Sequence, residues 1–162
     1  MISIREDFGA GGPSIFQQEI EDMFSETGKL SGAASFEYRP EQQQMAGAVA
    51  ATLEQCGHLV VEAGTGVGKS LAYLVPAALH AIRTKRKAVI CTHTIALQEQ
   101  LMYKDIPLVQ KLIPDEFEAV LLKGRQNYLC TTRLAHALGQ AKELFTPIQH
   151  PELERIRAWS LN

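Results

Sequence analysis

The sequence lacks the features of secreted and membrane-spanning proteins. It has only three cysteines in 162 residues, Cys56, Cys91 and Cys130, and no two of them form a Cys-x-x-Cys pair. Thiols this sparse are typical of a reducing compartment, where we expect at least two of them to be buried. No apolar run approaches the roughly 18 residues needed to span a bilayer, and no basic start precedes an apolar run. These absences predict a cytoplasmic chain without a membrane partner.

The sequence also lacks a strong excess of either charge. Its formal net charge is -2, whereas proteins that bind nucleic acid often carry a large positive excess. The overall balance therefore gives no support for such a partner, although a local groove can still be basic. A hydrophobic content of 46% is enough for one sizeable core, which predicts one domain or part of one.

A glycine-rich turn follows a short apolar strand at residues 58–63 and leads directly into a helix. Three glycines within five residues allow positive φ values and turn successive N–H groups toward phosphate oxygens. The pattern G-x-x-x-x-G-K-[ST], with Ala63 in its first position, predicts a nucleoside triphosphate site in which Lys69 reaches the β and γ phosphates and Ser70 binds Mg²⁺. The alternative is a flexible glycine turn without a ligand. The predicted nucleotide-binding residues are Ala63, Gly64, Thr65, Gly66, Val67, Gly68, Lys69 and Ser70.

Helical and strand-like runs alternate downstream of this turn. Residues 71–82 predict a helix, and the apolar residues 88–91 and 118–122 predict two further strands. A strand, a crossover helix and a second strand form a parallel sheet with a right-handed connection. The predicted fold class is therefore α/β, a three-layer P-loop domain with a parallel sheet.

The region before the glycine turn predicts a loose arm over residues 1–12, a helix near 15–24, a surface linker over 29–36 and a long helix over 40–55. The glutamines at the start of the long helix have two interpretations. In the first, they form a face exposed to solvent. In the second, Gln42 binds adenine through the N–H donor and the oxygen acceptor of its side-chain amide, with Arg39 beside it.

Polar residues follow the predicted strand 88–91, at the edge where ligands of parallel sheets gather. Hydroxyls, amides and helix-start N–H groups are suited to a phosphodiester backbone. The candidate nucleic-acid contacts are Thr92, His93, Thr94 and Gln98. The alternative is structural: Thr94 caps a helix, and the glutamines face solvent.

Four motifs occur together in the order of a known family. They are Arg39-Pro40-Glu41-Gln42, the glycine loop at 62–70, the segment 92–101, and Lys123-Gly124-Arg125-Gln126-Asn127-Tyr128-Leu129-Cys130. Over about residues 24–162 the chain resembles DinG-type helicases, in the XPD-like branch of superfamily 2. The resemblance implies an N-terminal arm and helix at 1–36, part of a RecA-like ATP-binding domain at 37–123, and the truncated start of an iron–sulfur domain at 124–162.

The resemblance also implies an activity, that of a monomeric, ATP-dependent 5′-to-3′ DNA helicase acting on single-stranded or forked DNA. It implies that Gln42 reads adenine and that the Thr92 region contacts single-stranded DNA. It further implies that Cys130 is the first of four ligands of a [4Fe-4S] cluster, in a full-length protein only. Considered without the resemblance, Cys130 is predicted to be a packed thiol.

Several parts of such a helicase are missing from the sequence. No cysteine follows Cys130, the second motor domain is absent, and Asp115-Glu116 is a poor match for the acidic pair that holds Mg²⁺ because it follows Pro114. We therefore expect the N-terminal fragment of a longer helicase, with little ATP hydrolysis of its own. The alternatives are an ATP-binding module without motor activity, an inactive remnant and, among enzymes, an RNA helicase, against which residues 123–130 argue.

Overall fold

The computed structural model describes residues 2–6, 12–32 and 37–161, with the backbone alone for 2–6. The chain forms two compact units, Met1–Val120 and Leu121–Asn162. Helices predominate in both units. Among the described residues, none of these helices combines the length and the apolar character that crossing a membrane requires.

Three of the described helices form the centre of the first unit: α1 (Ile15–Met23), α2 (Pro40–Gln55) and α3 (Lys69–Thr84). The side-chain oxygen of Ser14 caps α1 by accepting the backbone N–H of Gln17 at 3.0 Å. Proline suits the first position of α2 because its fixed φ is already helical and it has no N–H to leave unpaired. The helix predictions for 15–24 and 40–55 are confirmed.

The core of this unit lies where the three helices pack together. Ala46 and Ala50 of α2 are fully buried, as are Ile20 of α1 and Val75 of α3. Alanine side chains let neighbouring helices approach closely, and each buried Ile or Val contributes roughly 1.5–3 kcal/mol. The amphipathic pattern of the sequence thus forms one helical core that supports the glycine loop at the start of α3.

A two-stranded antiparallel sheet precedes the glycine loop. Strand β1 (Ile2–Glu6) pairs with β2 (Leu59–Ala63), so that Ile2 lies opposite Ala63 and Glu6 opposite Leu59. The prediction of a loose arm is therefore wrong for residues 2–6, where apolar and polar residues alternate with the strand period of two. Residues 7–11 of the predicted arm lie outside the described part of the chain.

The strands predicted at 88–91 and 118–122 are not formed, and these predictions are wrong for this structure. Val89 is 84% exposed and Val120 is 85% exposed. A parallel strand needs a backbone partner and cover on both faces. Among the described residues β2 pairs with β1 alone, and no parallel sheet assembles around it.

Two short helices follow α3, namely α4 (Ile95–Gln100) and α5 (Ile106–Leu112). A π-helical turn, Leu101–Asp105, joins them. Leu101 and Val109 are buried and attach this segment to the core. Earlier in the chain, a 3₁₀ turn at Lys29–Gly32 buries its leucine, so the surface-linker prediction is wrong there, and residues 33–36 lie outside the described part.

The described residues of the second unit form a 3₁₀ turn and three helices. The turn is Arg125–Asn127, and the helices are α6 (Thr131–Gly139), α7 (Ala141–Leu144) and α8 (His150–Trp159). A ring nitrogen of His150, Nε2, lies 3.0 Å from the carbonyl oxygen of Ala141 and links α8 to α7. The motif at 123–130 lies near the beginning of this unit.

Candidate nucleotide-binding site

The glycine loop between β2 and α3 depends on two residues with left-handed backbone. Gly66 has φ +84° and Gly68 has φ +81°, values that cost a residue with a side chain about 1–2 kcal/mol. Gly68 directly precedes the first residue of α3. A Cβ at Gly64 or Gly66 would meet nothing within 4 Å, so the backbone is open on that side.

Lys69 folds back over the beginning of this loop. Its ammonium nitrogen, Nζ, donates to the carbonyl oxygen of Ala63 at 3.0 Å and to that of Gly64 at 2.6 Å. These bonds hold a positive charge beside the N-terminus of α3, where unpaired N–H groups already favour an anion. The arrangement is chemically suited to phosphate.

The start of α2 contacts the same loop. Gln42 is 4% exposed, and its amide nitrogen donates to the carbonyl oxygen of Gly68 at 2.8 Å. Arg39 donates to the carbonyl oxygen of Gly66 and forms an ion pair with Glu37 at 2.6 Å. The two residues predicted to bind the nucleotide base thus contact the carbonyls of the two left-handed glycines, and their contact with adenine stays a prediction.

The first turns of α3 hold a polar group that sequence reasoning missed. Burial raises the pKa of the Tyr73 hydroxyl above its ordinary value of 10.0, a hydrogen bond from Ser70 opposes the rise, and the negative charge of Asp105 adds to it. Asp105 is 8% exposed, and the side-chain nitrogen of Gln100 lies 3.4 Å from one of its oxygens. The sequence signal for this polar group is the three-residue spacing between Ser70 and Tyr73, which places them on one face of the helix.

The structure brings the candidate nucleic-acid contacts together at the start of α4. Thr94 caps this helix, since its hydroxyl oxygen accepts the backbone N–H of Leu97 at 3.2 Å, which confirms the capping interpretation. The Thr92 hydroxyl donates to the Thr94 carbonyl oxygen at 3.2 Å. His93 is exposed, and Gln98 is half-buried within α4. Contact of these four residues with nucleic acid stays a prediction.

Cys130 lies at the N-cap of α6 and is exposed, as are Cys56 and Cys91. The prediction of buried thiols is therefore wrong. The turn before Cys130 is closed by the Tyr128 hydroxyl, which accepts the backbone N–H of Lys123 at 2.9 Å. No group of three or more His, Cys, Asp or Glu residues able to hold a metal occurs in the described ranges. An iron–sulfur cluster with four thiolates does not fit the residues of this chain alone.

A strand, a loop with two left-handed glycines and a helix that begins with Lys-Ser define a P-loop module. The family model of the DEAD/DEAH box helicases matches residues 39–135, so the chain belongs to this family. This match suggests a RecA-like P-loop fold.

Similar proteins indicate the DinG type within this helicase family. The chain is 44% identical over 138 residues to the ATP-dependent helicase DinG of Mycobacterium tuberculosis (strain ATCC 25618 / H37Rv), a match that covers 75% of this chain and 21% of the relative. It is 43% identical over 143 residues to the ATP-dependent DNA helicase YoaA of Escherichia coli (strain K12), covering 87% and 22%. The resemblance to DinG-type helicases is confirmed.

A third relative carries a different name. The chain is 35% identical over 113 residues to the 3'-5' exonuclease DinG of Bacillus subtilis (strain 168), a match that covers 70% of this chain and 12% of the relative. The chain thus spans 12% to 22% of the length of these three curated relatives. No solved structure gave a significant match.

Proposed function

We propose that this chain is the ATP-binding N-terminal part of an ATP-dependent DNA helicase. The observation that carries the proposal is the position of Lys69, whose ammonium is bonded to the carbonyl oxygens of Ala63 and Gly64 beside the N-terminus of α3. A triphosphate at this place would meet the lysine, the backbone N–H groups of the loop and the helix dipole together. The names of the DinG and YoaA relatives support the helicase class.

The loop residues have distinct parts in this proposal. Lys69 exchanges its loop carbonyls for β and γ phosphate oxygens and stabilises the charge that develops during phosphoryl transfer. Ser70, in the first turn of α3, is the residue that would hold Mg²⁺. One hydroxyl fits this ion, because Mg²⁺ takes few protein groups and keeps phosphate oxygens and waters as its other ligands. When bound, Mg²⁺ neutralises charge on the β and γ oxygens.

Gln42 is the proposed adenine-binding residue. Its amide nitrogen is bonded to the Gly68 carbonyl, and we assign the amide oxygen to the exocyclic amine of adenine. Arg39, held by Gly66 and Glu37, lies next to it at the N-cap of α2. The residue that binds the base and the loop that binds the phosphates would then be joined by the hydrogen bond between Gln42 and Gly68.

The proposal extends to the activity of the parent protein, which is longer than this chain. We assign it 5′-to-3′ movement on single-stranded or forked DNA, with Thr92, His93, Thr94 and Gln98 touching the strand. Unwinding of duplexes with a 5′ tail but not of duplexes with a 3′ tail, measured on the parent protein, tests the polarity.

Two structural features complete the proposed parent protein. Residues 88–91 and 118–122 are largely exposed apolar segments, and their composition is suited to strands that join β2 in a parallel RecA-like sheet of the parent protein. Cys130 is assigned as one thiolate of a [4Fe-4S] cluster, whose remaining ligands lie outside this chain. Iron analysis of the parent protein with and without Cys130→Ser tests this ligand, and an unchanged iron content would exclude it.

Binding of a fluorescent ATP analogue to Lys69→Ala tests the central part of the proposal. Hydrogen bonds to charged groups contribute roughly 1.5–3 kcal/mol, so we expect affinity to fall about ten- to hundredfold. The matched control is Lys111→Ala, at an exposed lysine in the last turn of α5, which should bind like the unchanged protein. Equal affinity in all three proteins would refute the site.

A nucleotide-binding module without motor activity is the second candidate. It is favoured by the position of Asp115 and Glu116, which are exposed beyond the end of α5 and offer no acidic pair at the end of a strand. ATP hydrolysis by the parent protein that rises when single-stranded DNA is added would exclude the module. ATP binding without such hydrolysis would favour it.

A further inference from the structure

Positive charge is concentrated in one short segment at the end of α3. Residues 83–87 hold four of the 16 lysines and arginines of the chain, although the formal net charge is -2. They are Arg83, Lys85, Arg86 and Lys87. Runs of this kind bind the phosphates of nucleic acids or simply face water. The contacts of each cation distinguish between the two.

Arg83 has a structural role within this segment. Its terminal nitrogen, Nη2, donates to both carboxylate oxygens of Glu19 at 2.6 Å, and its guanidinium carbon lies 4.8 Å from the centre of the Phe16 ring. Both partners belong to α1, so these contacts attach α1 to the last turn of α3. A carboxylate of the same chain thus neutralises Arg83.

The other three cations, Lys85, Arg86 and Lys87, are called the basic segment below. All three are exposed, and none forms an ion pair or a side-chain hydrogen bond with another described residue. The negative end of a helix dipole favours a cation in the last turn, but Arg83 already occupies that position in α3. The packing of the described residues therefore does not explain three further positive charges.

The backbone places the basic segment far from the glycine loop along α3 and close in sequence to the candidate nucleic-acid contacts. Lys85 ends α3 with φ +55°, and the 16 residues of this helix span about 24 Å. Residues 86–92 continue without helix or strand. Because Lys87 and Thr92 are five residues apart in the sequence, they lie within about 18 Å of each other. One strand of nucleic acid can contact both.

We propose that the basic segment binds the phosphodiester backbone of DNA and does not read the bases. Each cation that neutralises a phosphate releases condensed counterions, which is the main source of affinity in such contacts. Side chains on phosphates fix where a strand lies but carry no sequence information. The inference deepens the proposed function and rests on it for the identity of the ligand as DNA.

The test measures binding of the chain to a fluorescently labelled single strand of thymidines as the salt concentration rises. The variant combines Lys85→Gln, Arg86→Gln and Lys87→Gln, which removes three charges and keeps polar side chains. For single strands, the slope of log affinity against log salt is about −0.7 for each neutralised phosphate, so we expect it to become less negative by about 2. When salt rises tenfold, the affinity of the unchanged protein should fall about a hundredfold more than that of the variant.

A second triple variant removes the same charge at scattered positions. It combines Lys29→Gln, Lys104→Gln and Lys111→Gln, at three exposed lysines of the first unit, and should keep the slope of the unchanged protein. Arg83→Gln should also keep it, because Glu19 already neutralises that guanidinium. Circular dichroism checks folding. If the variant of the basic segment fails to fold, its three single substitutions decide, each with an expected change in slope of about 0.7.

Three results would overturn the inference. Equal slopes for the unchanged protein and the variant of the basic segment would exclude the contact, and equal losses in the two triple variants would mean that net charge alone explains binding. A strand of adenosines should show the same loss as thymidines, and a loss on one strand alone would indicate base contacts instead. Undiminished DNA binding together with lost binding of polyglutamate would assign the basic segment to an acidic protein.

These outcomes are distinct from those that test the proposed function. ATP binding that depends on Lys69, with DNA affinity indifferent to the basic segment, overturns this inference and leaves the nucleotide site intact. Loss of DNA affinity in the variant of the basic segment, with ATP binding unaffected by Lys69→Ala, supports the contact and refutes the site. A chain that binds no DNA at low salt overturns the contact alone.

Discussion

The three glycines of the loop provide a graded series in which each alanine substitution tests a different constraint. Gly64 has neither a positive φ nor a close neighbour, and Gly66 has a positive φ with nothing within 4 Å. Gly68 has both, because its φ is +81° and a Cβ there would lie 2.3 Å from the side-chain nitrogen of Gln42. We therefore expect the loss of stability to rise in the order Gly64→Ala, Gly66→Ala, Gly68→Ala.

The magnitudes follow from these constraints. A left-handed alanine costs about 1–2 kcal/mol, which is the whole expected effect of Gly66→Ala. At Gly68 the alanine also displaces Gln42 from its 2.8 Å bond with the Gly68 carbonyl, which adds about 1 kcal/mol. The free energy of unfolding should therefore fall by roughly 2–3 kcal/mol in Gly68→Ala. Gly64→Ala should change it by less than about 1 kcal/mol, with stabilisation as the expected sign.

Urea unfolding followed by circular dichroism measures these differences in the free energy of unfolding. The urea concentration at the midpoint is compared between variants whose unfolding free energy has the same dependence on urea concentration. A Gln42→Ala background provides the decisive control. There the clash is gone, and the effect of Gly68→Ala should shrink to that of Gly66→Ala. Equal effects of Gly66→Ala and Gly68→Ala in the unchanged background would refute the contact between Gln42 and the loop.

Three further predictions concern the helix cap, the base and the buried phenol. Thr94→Ala should lower the free energy of unfolding by about 1 kcal/mol because α4 loses its cap, whereas Thr94→Ser should restore it; equal values for the two variants would contradict the capping role. Gln42→Ala should reduce the preference for ATP over GTP in binding titrations, and an unchanged ratio of dissociation constants would exclude its adenine contact. The raised pKa of Tyr73 means that the folded state holds the phenol proton more tightly than the unfolded state, so unfolding free energy should fall as pH rises past 10.0. Denaturation between about pH 8 and about pH 10.5 should show a smaller fall in Tyr73→Phe, and identical slopes in the two proteins would contradict the shift.

The helices of the first unit could be predicted from the sequence because their signals are local. Pro40 begins α2, Ser14 caps α1, and apolar residues recur at helical spacing. The strands could not be predicted in the same way. Residues 88–91 have strand composition, yet pairing depends on a partner elsewhere, and β2 pairs with β1. An apolar run shows that a segment can become a strand, while the partner determines whether it does.

The glycine loop could likewise be located from the sequence, because positive φ and the Lys-Ser helix start require particular residues at fixed spacing. The contacts around it could not. Gln42 reaches Gly68 across 26 residues of sequence, and no local pattern encodes such a distance. The chemistry of their side chains associates Arg39 and Gln42 with the nucleotide, whereas their bonds to Gly66 and Gly68 appear only in three dimensions.

Hydrogen exchange with and without Mg²⁺ and ATP tests the location of the nucleotide most directly, because it reports where backbone amides become protected. We expect ATP to slow exchange in peptides covering residues 63–70 and the first turn of α3. Peptides from α6 serve as an internal control and should exchange at the same rate in both conditions. Protection confined to other segments, or none at saturating ATP, would contradict the assignment of the glycine loop as the ATP site.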